Sequence, residues 1–250
     1  MESIFRDTQL ENLSELWMQA GDVPSVTLLP FIEEINRKRP RSRFLTPANQ
    51  FLKRLMDILF SIVLGLVFLP VLLLTALLVF LDSPGPIFYT QERVGKDGRK
   101  IVIYKFRSMR LNSDAILAEY LRKNSQARAE WNQTQKLHDD PRITRVGKWI
   151  REFSIDELPQ LFNILIGDMS LVGPRPILVE QVELYGEGIS MYNSVAPGLT
   201  GFWQVSGRNL TTFHQRALFD QYYIRNWSFR LDVYILIRTV WVVLSRNGAY

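Results

Sequence analysis

Leu55 to Leu81 reads LMDILFSIVLGLVFLPVLLLTALLVFL, an apolar run interrupted by Asp57, Ser61 and Thr75. As a straight helix it is roughly 40 Å long, against about 30 Å of bilayer hydrocarbon. Length alone predicts a tilted span. Two features favour another path. Pro70, near the middle, removes a backbone hydrogen bond and kinks a helix. Both flanks are also basic: Arg37, Lys38, Arg39, Arg41, Arg43, Lys53 and Arg54 precede the run, and Arg93, Lys96, Arg99, Lys100, Lys105, Arg107 and Arg110 follow it. Such flanks stay in the cytoplasm, whereas a single span puts them on opposite sides. A re-entrant helix broken at Leu69-Pro70, entering and leaving one leaflet, satisfies both; each half is roughly 20 Å or less, too short to cross. A simple span and a buried core helix are the alternatives.

The 250 residues suffice for one domain with extra parts. The net charge of +5 suits anionic lipid, phosphorylated substrates or nucleic acid. Cysteine is absent, which excludes disulfides and thiolate metal sites, and two histidines argue against a histidine zinc site. Met1-Glu2-Ser3 lacks the basic-then-apolar layout of a cleavable signal. Residues 1–48 read as an N-terminal appendage: Leu10, Leu13, Leu16 and Trp17 have helical spacing, and Pro24, Pro30, Pro40 and Pro47 punctuate the rest. Residues 49–82 read as the membrane helix and 83–250 as the main domain. No internal repeat is present.

Ile87-Phe88-Tyr89 and Ile101-Val102-Ile103-Tyr104 flank Gly95-Lys96-Asp97-Gly98, which predicts a β-hairpin. Asp114 to Lys136 predicts one polar, solvated helix. Leu158, Leu161, Phe162 and Leu165 follow the helical repeat, so their face is expected to be buried. Phe229 to Leu244, FRLDVYILIRTVWVVL, suits an amphipathic helix in the membrane interface with Tyr234 and Trp241 at headgroup depth, or else an ordinary core-facing helix. The expected fold is α+β, mostly helical, on the cytoplasmic leaflet.

The chemistry concentrates in Ser154-Ile155-Asp156-Glu157-Leu158-Pro159-Gln160 and in Gly173-Pro174-Arg175-Pro176. Asp156 and Glu157 read two ways. Ser154 and Glu157 have capping-box spacing, with the carboxylates simply stabilising a helix start; Pro159, favoured at a first helical position, places that start later. Alternatively the helix N-terminus keeps Asp156 ionised and nucleophilic, and its neighbour helps hold Mg²⁺ against a diphosphate. Prolines on both sides of Arg175 stiffen a guanidinium suited to bidentate phosphate binding, with a structural salt bridge as the alternative. Lys105 and Arg107 end the hairpin, and Arg142, Arg145, Lys148 and Arg151 precede the acidic pair, placed to screen a carboxylate nucleophile from an anionic substrate. His138 and His214 are unpaired by spacing, Asp139-Asp140-Pro141 reads as a turn, and Gly198, Gly201 and Gly207 lack dinucleotide-type spacing.

Six stretches together resemble the bacterial sugar transferase family, the polyprenol-phosphate phosphoglycosyl transferases of the single-membrane-segment type. They are Tyr104-Lys105-Phe106-Arg107-Ser108-Met109, Asp139 to Thr144, Asp156 to Leu161, Gly167 to Pro176, Pro197 to Gly201, and Gln204 to Asn209. They run in family order from about Phe51 onward. The resemblance implies that Asp156 attacks the β-phosphate of a UDP-sugar, releasing UMP and forming a phosphosugar-aspartyl intermediate that polyprenol phosphate, expected to be undecaprenyl phosphate, then resolves. It implies Mg²⁺ as cofactor at Asp156 and Glu157. Arg175 and Arg151 match phosphate-side positions, and Lys105 and Arg107 are also carried over. A re-entrant helix broken at a proline, an inner-membrane location with the catalytic domain on the cytoplasmic face, and a possible homodimer come with it. Ala127 to Ile143 and Arg246 to Tyr250 look most like the hexose-1-phosphate transferases that start O-antigen, capsule or exopolysaccharide repeats from UDP-galactose or UDP-glucose, with N-acetylated amino sugars as runner-up. Longer relatives carry extra transmembrane helices before the catalytic part, so a compact form is expected. A non-catalytic scaffold would have been free to lose Asp156, Glu157 or Arg175; a nucleic-acid binder would share the basic charge but release no UMP.

Overall fold

The computed structural model describes residues 46–134, 137–206 and 212–245. The helix read over Leu10–Trp17 lies outside them. Helix α1 runs from Pro47 to Asp82, and its helical backbone continues through Pro70. Among the described residues it is the one helix long and apolar enough to cross a membrane. Its burial falls into two patches, Lys53, Asp57 and Ser61 before Pro70 and Thr75 and Val79 after it, while Leu66, Val67 and Leu69 between them face outward.

Both patches attach to one globular body. At the first, the Arg54 guanidinium donates to the carbonyls of Ile164 and Leu165, and Asp57 accepts the Leu171 amide at 3.1 Å. Lys53 lies 2.8 Å from Asp57 and 3.1 Å from Asp232, all three buried. At the second, Val79 packs with Phe106 and Ile150, and Asp82 accepts the Val146 amide at 2.9 Å.

The hairpin forms as its pattern predicts. Strands β1 (Phe88–Val94) and β2 (Lys100–Phe106) pair antiparallel from Phe88↔Phe106 to Val94↔Lys100. Asp97 (φ 59°) and Gly98 (φ 72°) are both left-handed in the turn, a backbone that Asp and Gly tolerate. Alternation along β2 buries Ile101 and Ile103 and exposes Val102.

The single helix expected over 114–136 is two, α2 (Ser113–Lys123) and α3 (Ser125–Thr134). Asn124 breaks it: its backbone turns extended and its side chain accepts the Ala127 amide at 3.0 Å, the capping role in which Asn outperforms its helix propensity. Helix α4 (Arg145–Glu152) is capped by Thr144, which accepts the Gly147 amide.

A 3₁₀ turn over Ile155–Glu157 leads into α5 (Gln160–Ile166). The buried face of α5 is not the expected one. Leu161 and Ile164 enter the core with Gln160 and Asn163, while Phe162 and Ile166 are 54% and 53% exposed. The helix starts at Gln160, and Asn163 turns the inward side, so apolar periodicity alone picks the wrong stripe.

Strands β3 (Ser170–Val172) and β4 (Gly198–Thr200) pair in parallel. Between and after them come α6 (Ile189–Asn193), α7 (Phe202–Ser206), α8 (Phe213–Asn226) and α9 (Phe229–Leu244). The main core joins Ile103 and Ile164 to Leu171, Phe219, Tyr223 and Ile235. Helix α9 has the two faces its sequence suggests: Ile235 and Asp232 are buried, and Ile237, Val240, Trp241 and Leu244 are exposed. Tyr234 is half-buried and packs on the core.

Candidate active site

The period of a strand places the first components. Ile101, Ile103 and Lys105 share one face of β2, and register sets Arg93 opposite Ile101 on β1. Across this face lies α5, tied to β2 by Asn163. Its fully buried side chain accepts the Tyr104 amide at 3.0 Å and donates to the Val102 carbonyl at 2.7 Å, pairing with the strand edge as another strand would. This bond sets where the preceding turn, with Asp156 and Glu157, meets Lys105.

Lys105 Nζ donates to Glu157 Oε1 at 2.6 Å, and Arg175 Nη2 lies 3.7 Å from the same oxygen. Arg93, Ile103, Lys105, Glu157, Gln160 and Arg175 line one small crevice, with Pro176, Gly198 and Leu199 completing its wall. Close backbone packing positions Arg175. The Gly173 amide donates to Thr200 O at 2.9 Å and the Gly198 amide to Pro174 O at 2.7 Å. A Cβ on Gly198 would sit 2.1 Å from the Gly173 nitrogen, so the approach requires glycine there.

The acidic pair is electrically asymmetric. Burial alone would raise the Glu157 pKa, but Lys105 and Arg175, with the Lys105 hydrogen bond, hold it well below the usual carboxylate range. Burial and the Glu157 charge push Asp156 up to about 6 against the pull of Lys105 and Arg151. The capping box expected at Ser154 is absent. Ser154 has φ 54° and makes no capping bond, and α5 begins four residues beyond Asp156. Burial and the neighbouring charge thus raise Asp156, while the two cations depress Glu157.

The other expected cations divide. Arg151 donates to Ser108 Oγ at 2.8 Å and acts electrostatically on Asp156. Arg107 points elsewhere: its buried guanidinium donates to the Ser83 carbonyl at the end of α1 and does not line the crevice. Arg142 is spent on Asp140, at 2.6 Å, and on the Trp131 ring, which leaves Asp139-Asp140-Pro141 a turn. Arg145 and Lys148 are exposed, as is His214. Arg93, Gln160 and Asn163 were missed by the sequence reading. For Arg93 the usable signal was parity, since hairpin register puts it on the Lys105 face.

Among the described residues no cluster of three or more His, Cys, Asp or Glu side chains exists. Mg²⁺ needs less, since one or two carboxylates plus substrate phosphates suffice, and Asp156 with Glu157 fits that donor set.

The family model described as bacterial sugar transferase matches residues 48–246. The chain is 46% identical over 220 residues to an undecaprenyl-phosphate galactose phosphotransferase of Salmonella typhimurium, covering 88% of this chain and 46% of the relative. It is 42% identical over 259 residues to a UDP-galactose-lipid carrier transferase of Erwinia amylovora, covering 100% and 54%. It is 42% identical over 204 residues to the exopolysaccharide production protein ExoY of Sinorhizobium fredii, covering 82% and 90%. The chain thus spans about half the length of the first two. The matched span contains α1, the acidic pair and the Arg175 loop together, and on that ground the chain belongs to the bacterial sugar transferase family.

Proposed function

We propose that this protein transfers a hexose 1-phosphate from a UDP-sugar to undecaprenyl phosphate, by way of a phosphosugar-aspartyl intermediate, at the cytoplasmic face of the inner membrane, and so starts a cell-surface polysaccharide repeat. The observation that carries this reading is the asymmetric pair: Asp156 next to Glu157, with Glu157 neutralised by Lys105 and with Arg93 and Arg175 around the same crevice. Galactose is favoured over other hexoses because two close relatives are named for it.

In this mechanism Arg93, Lys105 and Arg175 receive the diphosphate and offset its charge. An ionised Asp156 oxygen attacks the sugar-bearing phosphorus; the bond to the bridging oxygen breaks and UMP leaves with that electron pair. A phosphate oxygen of the lipid acceptor then attacks the same phosphorus and releases Asp156 as carboxylate. Arg151 lowers the cost of the Asp156 charge. Glu157, held as an anion, orients Lys105 and Arg175 and carries no proton. Mg²⁺, held by Asp156 and Glu157, would supply further charge neutralisation to the diphosphate.

Two-sided attachment of α1 supports the re-entrant path. A helix crossing the bilayer separates its ends by the hydrocarbon thickness, about 30 Å, and only one end meets a domain on a given face. Here Arg54 and Asp57 before Pro70, and Val79 and Asp82 after it, all hold the same body. In the membrane a bend at Leu69-Pro70 would leave the exposed Leu66–Leu69 stretch deepest.

The test is UMP release from a panel of UDP-sugars, with intact-protein mass read before lipid is added. A mass gain of one phosphosugar, absent in Asp156→Asn, is expected. Turnover by Asp156→Asn would refute the nucleophile assignment.

A further inference from the structure

Arg93 and Arg175 stand on segments that are joined in an unusual way. The Val94 amide donates directly to the Ile177 carbonyl at 2.9 Å. The reciprocal bond, from the Ile177 amide to the Val94 carbonyl, is not direct. The Tyr192 hydroxyl occupies its place: it accepts from the Ile177 amide at 3.2 Å and donates to the Val94 carbonyl at 2.8 Å. A direct bond would hold that amide and carbonyl about 2.9 Å apart; with a hydroxyl between them they stand roughly 5 Å apart. The inserted phenol therefore splays the two segments by roughly 2 Å at one end.

Tyr192 is rigidly held. It is 1% exposed on α6. Its ring meets that of Tyr185 edge-on at 5.3 Å, and Tyr185 donates to the buried Asp220 at 2.7 Å. Arg93 immediately precedes Val94, and Arg175 lies two residues before Ile177. The Arg93 guanidinium also reaches the Pro176 carbonyl at 3.4 Å. One buried hydroxyl thus bridges the two arginine-bearing segments.

We propose that Tyr192 is a positioning residue for the sugar-nucleotide donor: its hydroxyl wedges the Val94 and Ile177 segments apart to the spacing at which Arg93 and Arg175 grip one diphosphate together. This rests on the phosphate-binding reading of that crevice. Removing the hydroxyl lets the segments close to a direct bond or admit water, and either outcome alters a two-arginine grip without touching the attacking carboxylate.

The experiment compares Tyr192→Phe, Tyr185→Phe, Arg93→Ala and Arg175→Ala in the full chain in lipid vesicles. Donor KM, acceptor KM, kcat and the UMP inhibition constant are measured for each. Tyr192→Phe is expected to raise the donor KM and the UMP constant together by about 5–10-fold, the loss of one buried hydrogen bond. The acceptor KM should hold and kcat should change less than about 3-fold. Tyr185→Phe, also buried and one ring away, should leave the donor KM alone. KM and the UMP constant do not depend on how much protein folds, so a merely structural role would lower the active fraction and leave both unmoved. An unchanged donor KM in Tyr192→Phe, with the arginine variants impaired, overturns the wedge and spares the phosphate reading. Unchanged donor KM in both arginine variants overturns that reading and the wedge with it.

Discussion

Lys105 Nζ sits 2.6 Å from Glu157 Oε1, and this contact separates the behaviour of two adjacent carboxylates. Without it, burial and mutual repulsion would act on both. With it, Glu157 is held low and Asp156 is pushed up to about 6. Lys105→Met should therefore lower UMP release by about 100-fold or more, because it leaves two like charges together and removes a cation from the diphosphate. Lys105→Arg should recover part of the rate. Equal rates for Lys105→Met and the parent protein in a UMP-release assay would refute the role.

The pH dependence follows from Asp156. Attack needs the ionised carboxylate, so kcat/KM for the donor should rise with pH through about 6 and then level. Stability runs the other way. A folded-state pKa raised above the unfolded value favours the folded protein below the unfolded pKa, and that advantage is lost as pH rises through about 6. Asp156→Asn escapes the loss, so its stability relative to the parent should grow between pH 4 and pH 8, by about 1–3 kcal/mol. Thermal melts of both proteins across that range check the sign.

The Asn163 side chain pairs with the backbone of β2 at Val102 and Tyr104. Asn163→Ala should cost about 2–4 kcal/mol by leaving the Tyr104 amide and Val102 carbonyl without partners. Asn163→Asp should be worse, since a carboxylate would face the Val102 carbonyl. Denaturant titration in detergent reads the difference.

Lys53 balances two buried carboxylates, Asp57 and Asp232, which join α1 to α9. Lys53→Met should cost about 3–5 kcal/mol, because a buried charge is left uncompensated. Loss of α1 docking should then appear as new protease cleavage near Leu52. A parent-like melting temperature would show that the network is dispensable.

The path of α1 is open to thiol labelling, since the chain has no cysteine. Phe51 and Asp97 are exposed on opposite sides of the membrane run. Phe51→Cys and Asp97→Cys should both react with an impermeant maleimide from the cytoplasmic side. Labelling of one of them only from the outside would establish a span.

Some of this was legible in the residues alone. The hairpin over β1 and β2 and the helix of α9 follow from periodicity and turn chemistry, which are local and survive without tertiary context. Family membership followed from six short motifs, each a local string. The apolar run through Pro70 marked a membrane element for the same reason. What local pattern misjudged was packing. It split no helix at Asn124, buried Phe162 where the fold buries Asn163, and read a capping box at Ser154 where the backbone turns left-handed. Each depended on a partner far away in sequence or on a side chain competing with the helix. Charge was decided last. Sequence supplies Arg93, Lys105, Arg107, Arg151 and Arg175 as equal cations; only the fold turns Arg107 to Ser83 and puts Lys105 against Glu157. Electrostatic energy depends on separation and burial, and both are properties of the folded arrangement.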